Sequence, residues 1–175
     1  MKSKKNTFVS RAAVGCVTTA IFLLLCIIKG IYPFGIATLD TVDFQSQWIP
    51  AYYHVWDVLH GDGSAFFDWR VGGGNNFAGV SAQFSLFSPF NLFFLFVKRS
   101  WIEKSMIVFL LIKLLAMGYG MRWFLKEQVL GEERYGVYIL AGSVGYAVNG
   151  YTLLYYGMGW LDVAAILPLL CYFFC

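Results

Sequence analysis

Hydrophobic positions in this chain fall into long runs that are separated by short polar stretches. The first run, 12–28, holds no charged residue. With the next four residues it reaches the roughly 20 residues that a helix needs to cross a bilayer. We therefore predict a first transmembrane helix over about 12–32.

Later apolar runs predict two more transmembrane helices, over about 101–124 and 135–148. A last run, 162–175, is too short for a complete span, so we expect an incomplete transmembrane helix there. The run 84–97 has only fourteen residues and contains Pro89 and Asn91, which is typical of a re-entrant or interfacial piece. The pattern predicts an all-α integral membrane protein, a multi-span helical bundle.

The long loop 33–83 contains a different periodicity, which predicts an amphipathic helix over about 48–60. Its apolar face is formed by Trp48, Tyr52, Val55, Trp56 and Leu59. Pro50 suits the first turn and Gly61 suits the end. The aromatic residues favour a helix in the outer membrane interface, and a surface helix on a soluble outer lobe is the alternative. His54 is expected on its polar face, and 68–79 reads as irregular backbone.

Composition supports the membrane assignment, because 59% of residues are hydrophobic and only 13% are charged. Soluble domains have about a quarter charged residues. Four basic residues precede the first apolar run: Lys2, Lys4, Lys5 and Arg11. The positive-inside rule then predicts a multi-pass protein of the cell membrane with a cytoplasmic N-terminus and an extracellular loop 33–83. Nothing in the pattern suggests nucleic-acid binding. The cysteines lie in apolar runs, so we expect neither a disulfide nor a zinc site.

The number of crossings decides where Asp162 lies relative to Asp40 and Asp43. If 84–97 crosses the membrane, Asp162 is on the opposite side from them. If it does not cross, all three acids lie outside. Basic residues in the later loops are balanced, three against three, so length alone favours the second arrangement.

Candidate chemistry begins in the stretch Thr38–Trp48, just after the first apolar run. Asp40 and Asp43 are three residues apart and would share one face of a helix. Near a membrane such a carboxylate can act as a general base toward an acceptor hydroxyl, or it can bind a divalent cation. The alternative is that Asp43 caps the helix that follows. Whether a metal is needed is unknown from the sequence.

Two more charges stand in apolar surroundings. Asp162 opens the last apolar run, where an acid is either a functional residue or a helix cap. Lys113 lies near the middle of 101–124, where it can pair with a carboxylate, meet a lipid phosphate or extend toward the interface.

Several short motifs together resemble a family of bacterial membrane proteins, the YfhO-like proteins, which look like GT-C type glycosyltransferases. The matching pieces are Tyr32-Pro33-Phe34-Gly35, Asp43-Phe44-Gln45-Ser46-Gln47-Trp48, His60-Gly61-Asp62, Gly73-Gly74-Asn75-Asn76-Phe77, Ser88-Pro89-Phe90-Asn91, Trp160-Leu161-Asp162 and Leu167-Pro168-Leu169. Each piece alone is weak, but their order extends over most of the chain.

This resemblance implies transfer of a sugar from a polyprenyl-phosphate carrier to a cell-envelope polymer such as teichoic or lipoteichoic acid, at the outer face of the membrane. GT-C enzymes have an essential Asp in the first outer loop, and Asp43 matches that position. Asp40 is its neighbouring candidate and Asp162 a second acid. The candidate donor-binding residues are Arg70, Lys113, Gln47 and Asn76. Family members are several times longer, so we expect a truncated N-terminal module.

Two other functions remain open. A transporter or lipid-handling membrane protein would use Lys113 and Asp162 as charges on a substrate path. A non-catalytic truncated remnant would have a scaffold role only.

Overall fold

Helices carry most of the regular structure in this all-α membrane protein. It is described here from a computed structural model that covers residues 3–39, 44–70, 73–77, 87–130, 136–156 and 159–174. The α-helices are α1 (Ser3–Ile28), α2 (Ile49–Leu59), α3 (Ile102–Phe124), α4 (Gly136–Ala147), α5 (Gly150–Leu154) and α6 (Trp160–Phe174). A π-helical turn, Phe44–Trp48, precedes α2, and another, Leu125–Leu130, follows α3. Two short strands, β1 (Phe67–Asp68) and β2 (Asn75–Asn76), pair antiparallel.

Helix ends follow the local chemistry. The first helix ends at Ile28, four residues before the predicted limit, because Gly30 has a φ of +62° that ends a right-handed helix. In α2, Pro50 lies in the first turn, and Gly61 follows the last turn with a φ of +84°. Both residues have the roles that the sequence predicted for them.

The helices form a bundle, and contacts between them show which helices run parallel and which run antiparallel. Helices α1 and α3 run antiparallel, because Val14 approaches Gly118 and Tyr32 lies under the ammonium of Lys104. A Cβ at Gly118 would lie 3.2 Å from Val14 Cγ1 and 3.7 Å from Ala147 Cβ, so α1, α3 and α4 meet closely there.

Helices α3 and α6 run parallel. Lys113 contacts Asp162 near the start of α6, and Trp123 contacts the ring of Tyr172 near its end. The end of α1, the start of α3, the end of α4 and the start of α6 therefore point to one end of the bundle, which also carries α2. We call this the first-loop end.

In the described part of the segment before α3, residues 87–97, no helix is long enough to cross a membrane. Residues Pro89–Phe96 form a 3₁₀-helix of eight residues, about 16 Å long, which is half the thickness of a bilayer core. Three helical segments are long and apolar enough to cross a membrane: Arg11–Ile28, Arg99–Leu130 and Gly136–Leu154. The shorter apolar helix α6 completes the described bundle. Which side of a membrane each end faces stays a prediction.

One stretch differs from the sequence analysis. The predicted irregular backbone over 68–79 includes part of the β1–β2 hairpin. Gly73 and Gly74, just before β2, have φ values of +78° and +108°.

The short helix α5 lies between α4 and α6. The Asn149 side chain accepts a hydrogen bond from the Thr152 amide at 3.0 Å and caps this helix.

Candidate functional site

A buried ion pair joins α3 to α6. Lys113 Nζ lies 2.6 Å from Asp162 Oδ1, and the two side chains are only 3% and 8% exposed. Lys113 is eleven residues from each end of α3, so the pair lies about 16 Å from either end. Because the first turn of α6 packs beside the middle of α3, Asp162 lies deep in the bundle and not at its end. Besides Lys113, Asp162 Oδ1 has no hydrogen-bond partner among the described residues.

Aromatic side chains from α2, the 3₁₀-helix and α3 surround this pair. The ring centroids of Tyr52, Phe94 and Phe109 lie 5.0–5.3 Å apart, and Lys113 Nζ is 4.3 Å from the Phe109 centroid. This distance suits a cation–π contact. Burial, and then the negative charge of Asp162, raise the pKa of Tyr52 above its ordinary value. The helix of the first loop therefore reaches the ion pair.

Leu39 and Phe44, which flank the stretch 40–43, both contact Tyr156. Tyr156 lies six residues before Asp162 in the chain. The Tyr156 hydroxyl donates a hydrogen bond to the Leu39 carbonyl oxygen at 2.6 Å, and the rings of Phe44 and Tyr156 make an edge contact at 5.9 Å. Asp40 and Asp43 themselves lie outside the described residues. The structure therefore leaves their predicted roles untested.

A mostly apolar cavity of about 510 Å³ lies between α1, α3 and α5. This volume is within the usual range for ligand sites. We call it the apolar cavity; it is lined by Phe22, Leu25, Cys26, Lys29, Ile31, Ala37, Thr38, Leu39, Leu110, Leu114, Thr152, Leu153 and Tyr156. Thr38 and Leu39 are the first residues of the predicted functional stretch. The buried Thr152 hydroxyl has no hydrogen-bond partner within the described part of the chain.

Arg70, a predicted donor-binding residue, lies in a network of ion pairs. Its guanidinium donates to Asp68 at 2.7 Å, to Asp57 at 3.2 Å and to the Asp62 carbonyl oxygen at 2.9 Å. Hydrogen bonds from Arg70 hold the pKa of Asp68 well below its usual value. The buried Asp57 carboxylate also accepts from Arg99 at 2.8 Å. This network, which we call the Asp57 clamp, ties α2 to the hairpin and to the start of α3.

His54 is the one residue of α2 that the sequence analysis placed wrongly. It is buried rather than on a polar face, with Nε2 3.0 Å from the Ser64 carbonyl oxygen and its ring 4.0 Å from that of Phe77. The reason is that the chain after α2 folds back over the helix and covers this second face.

The remaining predicted donor-binding residues lie on the surface. Gln47 is exposed in the π-helical turn before α2, and Asn76 is exposed in β2. Neither one, nor Lys113, lines the apolar cavity. Sequence reasoning missed Lys29, Thr152 and Tyr156 in this cavity. Only Lys29 carried a visible signal, as a cation directly after the first apolar run.

Metal binding is open in this structure. No group of three or more His, Cys, Asp or Glu side chains is placed to hold a metal ion within the residues described. Because Asp40 and Asp43 are not among these residues, the possible divalent cation stays a prediction.

Comparison with known proteins places the chain in a family. No curated protein and no solved structure matches it. A search against protein families matches "Bacterial membrane protein YfhO" over residues 15–172, which is most of the chain. The deep ion pair, the apolar helices and this match agree on a membrane protein, and the chain belongs to the YfhO family of bacterial membrane proteins.

Proposed function

We propose that this protein is a membrane glycosyltransferase that moves a sugar from a polyprenyl-phosphate carrier to a cell-envelope acceptor, such as teichoic or lipoteichoic acid, outside the cell. One observation carries the proposal. Thr38 and Leu39, which lead into the acidic stretch, also line the apolar cavity. An apolar site for a lipid thus adjoins the segment that carries the candidate base.

The apolar cavity suits the isoprenoid part of such a donor. Its walls are mainly aliphatic and aromatic, which favours transfer of a hydrocarbon chain out of water. Lys29 supplies positive charge for the donor phosphate, and the Thr152 hydroxyl supplies a polar group without a described partner. Cavity and cation together match a lipid that carries a phosphate.

The reaction itself needs a base and a stabilised leaving group. Asp43, or its neighbour Asp40, takes the proton of the acceptor hydroxyl while that oxygen attacks the anomeric carbon. The bond between this carbon and the phosphate oxygen breaks, and the configuration inverts. Negative charge then develops on the polyprenyl phosphate, where Lys29 stabilises it, and a divalent cation held by the acids of the first loop would add positive charge there.

In this proposal Asp162, Lys113 and Arg70 keep the helices and the first loop in position and do not contact the sugar. The Lys113–Asp162 pair fixes the start of α6 near Tyr52, and the Tyr156 hydroxyl is hydrogen-bonded to the Leu39 carbonyl oxygen. Arg70 holds the first loop through Asp57 and Asp68.

Replacement of Asp43 tests the proposal. In the full-length protein, Asp43→Ala should lower sugar transfer from a polyprenyl-phosphate donor by about 10²-fold or more, the usual contribution of a general base. Asp62→Ala is the matched control, since it removes an exposed carboxylate of the same loop and should leave transfer unchanged. Membrane insertion should be equal in both. Full transfer by both Asp43→Ala and Asp40→Ala would end the assignment.

The buried Lys113–Asp162 pair favours a second function, transport. Ionisable groups deep in a helical bundle often lie on a substrate or proton path. A transporter would lose flux when this pair is replaced by apolar residues and would keep it in Asp43→Ala. The transferase should instead lose sugar transfer in Asp43→Ala.

A further inference from the structure

Aromatic side chains point outward from the β1–β2 hairpin. Phe66, Phe67 and Trp69 are 71%, 50% and 76% exposed, and we call these three side chains the aromatic patch. The rings of Phe67 and Trp69 make a perpendicular edge contact, with their centroids 5.2 Å apart. An aromatic side chain buries about 150–250 Å² when it is covered, so a group of exposed rings marks a surface that contacts a partner or a membrane.

The hairpin fixes the patch in this outward position. A Cβ at Gly74 would lie 2.7 Å from Cε3 of Trp69 and 3.2 Å from Cζ of Phe67, so both rings pack closely against this glycine. The Phe77 amide donates a hydrogen bond to the Phe66 carbonyl oxygen at 2.7 Å and holds the two arms of the hairpin together. The patch is therefore a built surface of the first loop.

The Asp57 clamp brings this surface close to the start of a predicted membrane span. Asp57 accepts hydrogen bonds from Arg70, which follows β1, and from Arg99, the first residue of an apolar helical segment long enough to cross a membrane. Trp101 is half-exposed there, and the Lys104 ammonium lies 5.5 Å from the centroid of its ring. Basic and aromatic side chains at the end of a span are typical of the headgroup level. A single carboxylate thus links the hairpin to that level.

We propose that the aromatic patch inserts into the headgroup region of the membrane and anchors the first loop there. The sequence analysis expected aromatic residues of the helix at 48–60 at this level, but Trp48 and Tyr52 are buried in the protein. Lys98 and Lys104 are exposed at the start of the span, where lysine side chains favour the lipid phosphates. This inference does not depend on the glycosyltransferase proposal.

Spin-label accessibility in lipid nanodiscs tests the anchor. The purified full chain, with its native cysteines replaced by serine, carries one label at Trp69→Cys or at Phe66→Cys. Oxygen, which concentrates in lipid, is compared with a water-soluble nickel complex as the relaxing agent. Both labels should be more accessible to oxygen than to nickel, at a depth of about 5–10 Å, as for other interfacial segments.

Two control positions calibrate the measurement. Leu24→Cys, on the exposed face of α1, reports on lipid, and Asp62→Cys, in the same loop as the patch, reports on water. Nickel accessibility equal to that of Asp62→Cys would overturn the proposal and leave the patch to a soluble partner such as a sugar polymer. Low accessibility to both agents would also overturn it, because protein would then cover the patch. If the two labels differ, Phe66→Cys decides, since it keeps the contact between Phe67 and Trp69.

Discussion

Lys113 and Asp162 stabilise the bundle only as a pair. Desolvating each charge costs several kcal/mol, and the partner at 2.6 Å offsets that cost. A single replacement leaves one charge alone among apolar side chains. We therefore expect Asp162→Leu or Lys113→Met to lower the free energy of unfolding by about 3 kcal/mol, measured by chemical unfolding in detergent micelles.

The double variant Lys113→Met with Asp162→Leu is the informative control. Because neither charge is then left unpaired, its unfolding free energy should return close to that of wild type. Additive losses from the two replacements would show that each residue acts separately, and the ion pair would then have no stabilising role.

For single residues, the sequence identifies important side chains more reliably than it predicts the partners that they contact. Lys113 and Asp162 stand out because ionisable groups are rare inside apolar runs. Pairing was one of the alternatives for Lys113, but forty-nine residues separate the two positions, and no local pattern encodes such a contact. Arg70 was assigned to a donor phosphate because it is the only base of its loop. Its ion-pair partners Asp57 and Asp68 depend on how the loop folds, which the sequence alone does not show.

Helix α2 is held in place by the Asp57 clamp as well as by its apolar face. Asp57 receives hydrogen bonds from both Arg70 and Arg99, which follow it in the chain by 13 and 42 residues. Asp57→Asn keeps the shape of the side chain but removes its charge. We expect amide hydrogen exchange in the hairpin and at the start of α3 to become up to about tenfold faster, because charge-assisted hydrogen bonds are lost.

The control for this prediction lies on the same loop. Asp62 offers Arg70 only its backbone carbonyl oxygen, so Asp62→Asn should leave exchange unchanged. If Asp57→Asn exchanges like wild type over 61–70 and 98–103, the arginines do not hold the loop.

Periodicity explains which elements the sequence predicts. Apolar residues recur at helical spacing in α2 and in the turn before it, and Trp48, Tyr52 and Val55 are buried as that spacing predicts. The β1–β2 hairpin has two residues per strand, which is too short to show a period of two. His54 was placed on a polar face because α2 was considered alone, without the loop that covers it.

The whole bundle has two chemically different ends. The first-loop end carries the apolar cavity, α2 and the Asp57 clamp, whereas the opposite end carries a second cavity whose lining includes Arg11, Arg122 and Lys126. The sequence predicts the apolar helices from run length, but their mutual order requires contacts such as Tyr156 with Leu39. Orientation in the membrane rests on the basic residues before α1.

Cysteine labelling in intact cells tests this orientation. With the native cysteines replaced by serine, Asp62→Cys and Leu154→Cys report on the first-loop end, and Glu127→Cys reports on the opposite end. A thiol reagent that cannot cross membranes should label the first two from outside and Glu127→Cys only after lysis. Labelling of Asp62→Cys and Leu154→Cys from opposite sides would contradict the contact that joins Tyr156 to Leu39 at this end. Reversed labelling of all three would put the apolar cavity at the cytoplasmic side, away from any envelope polymer.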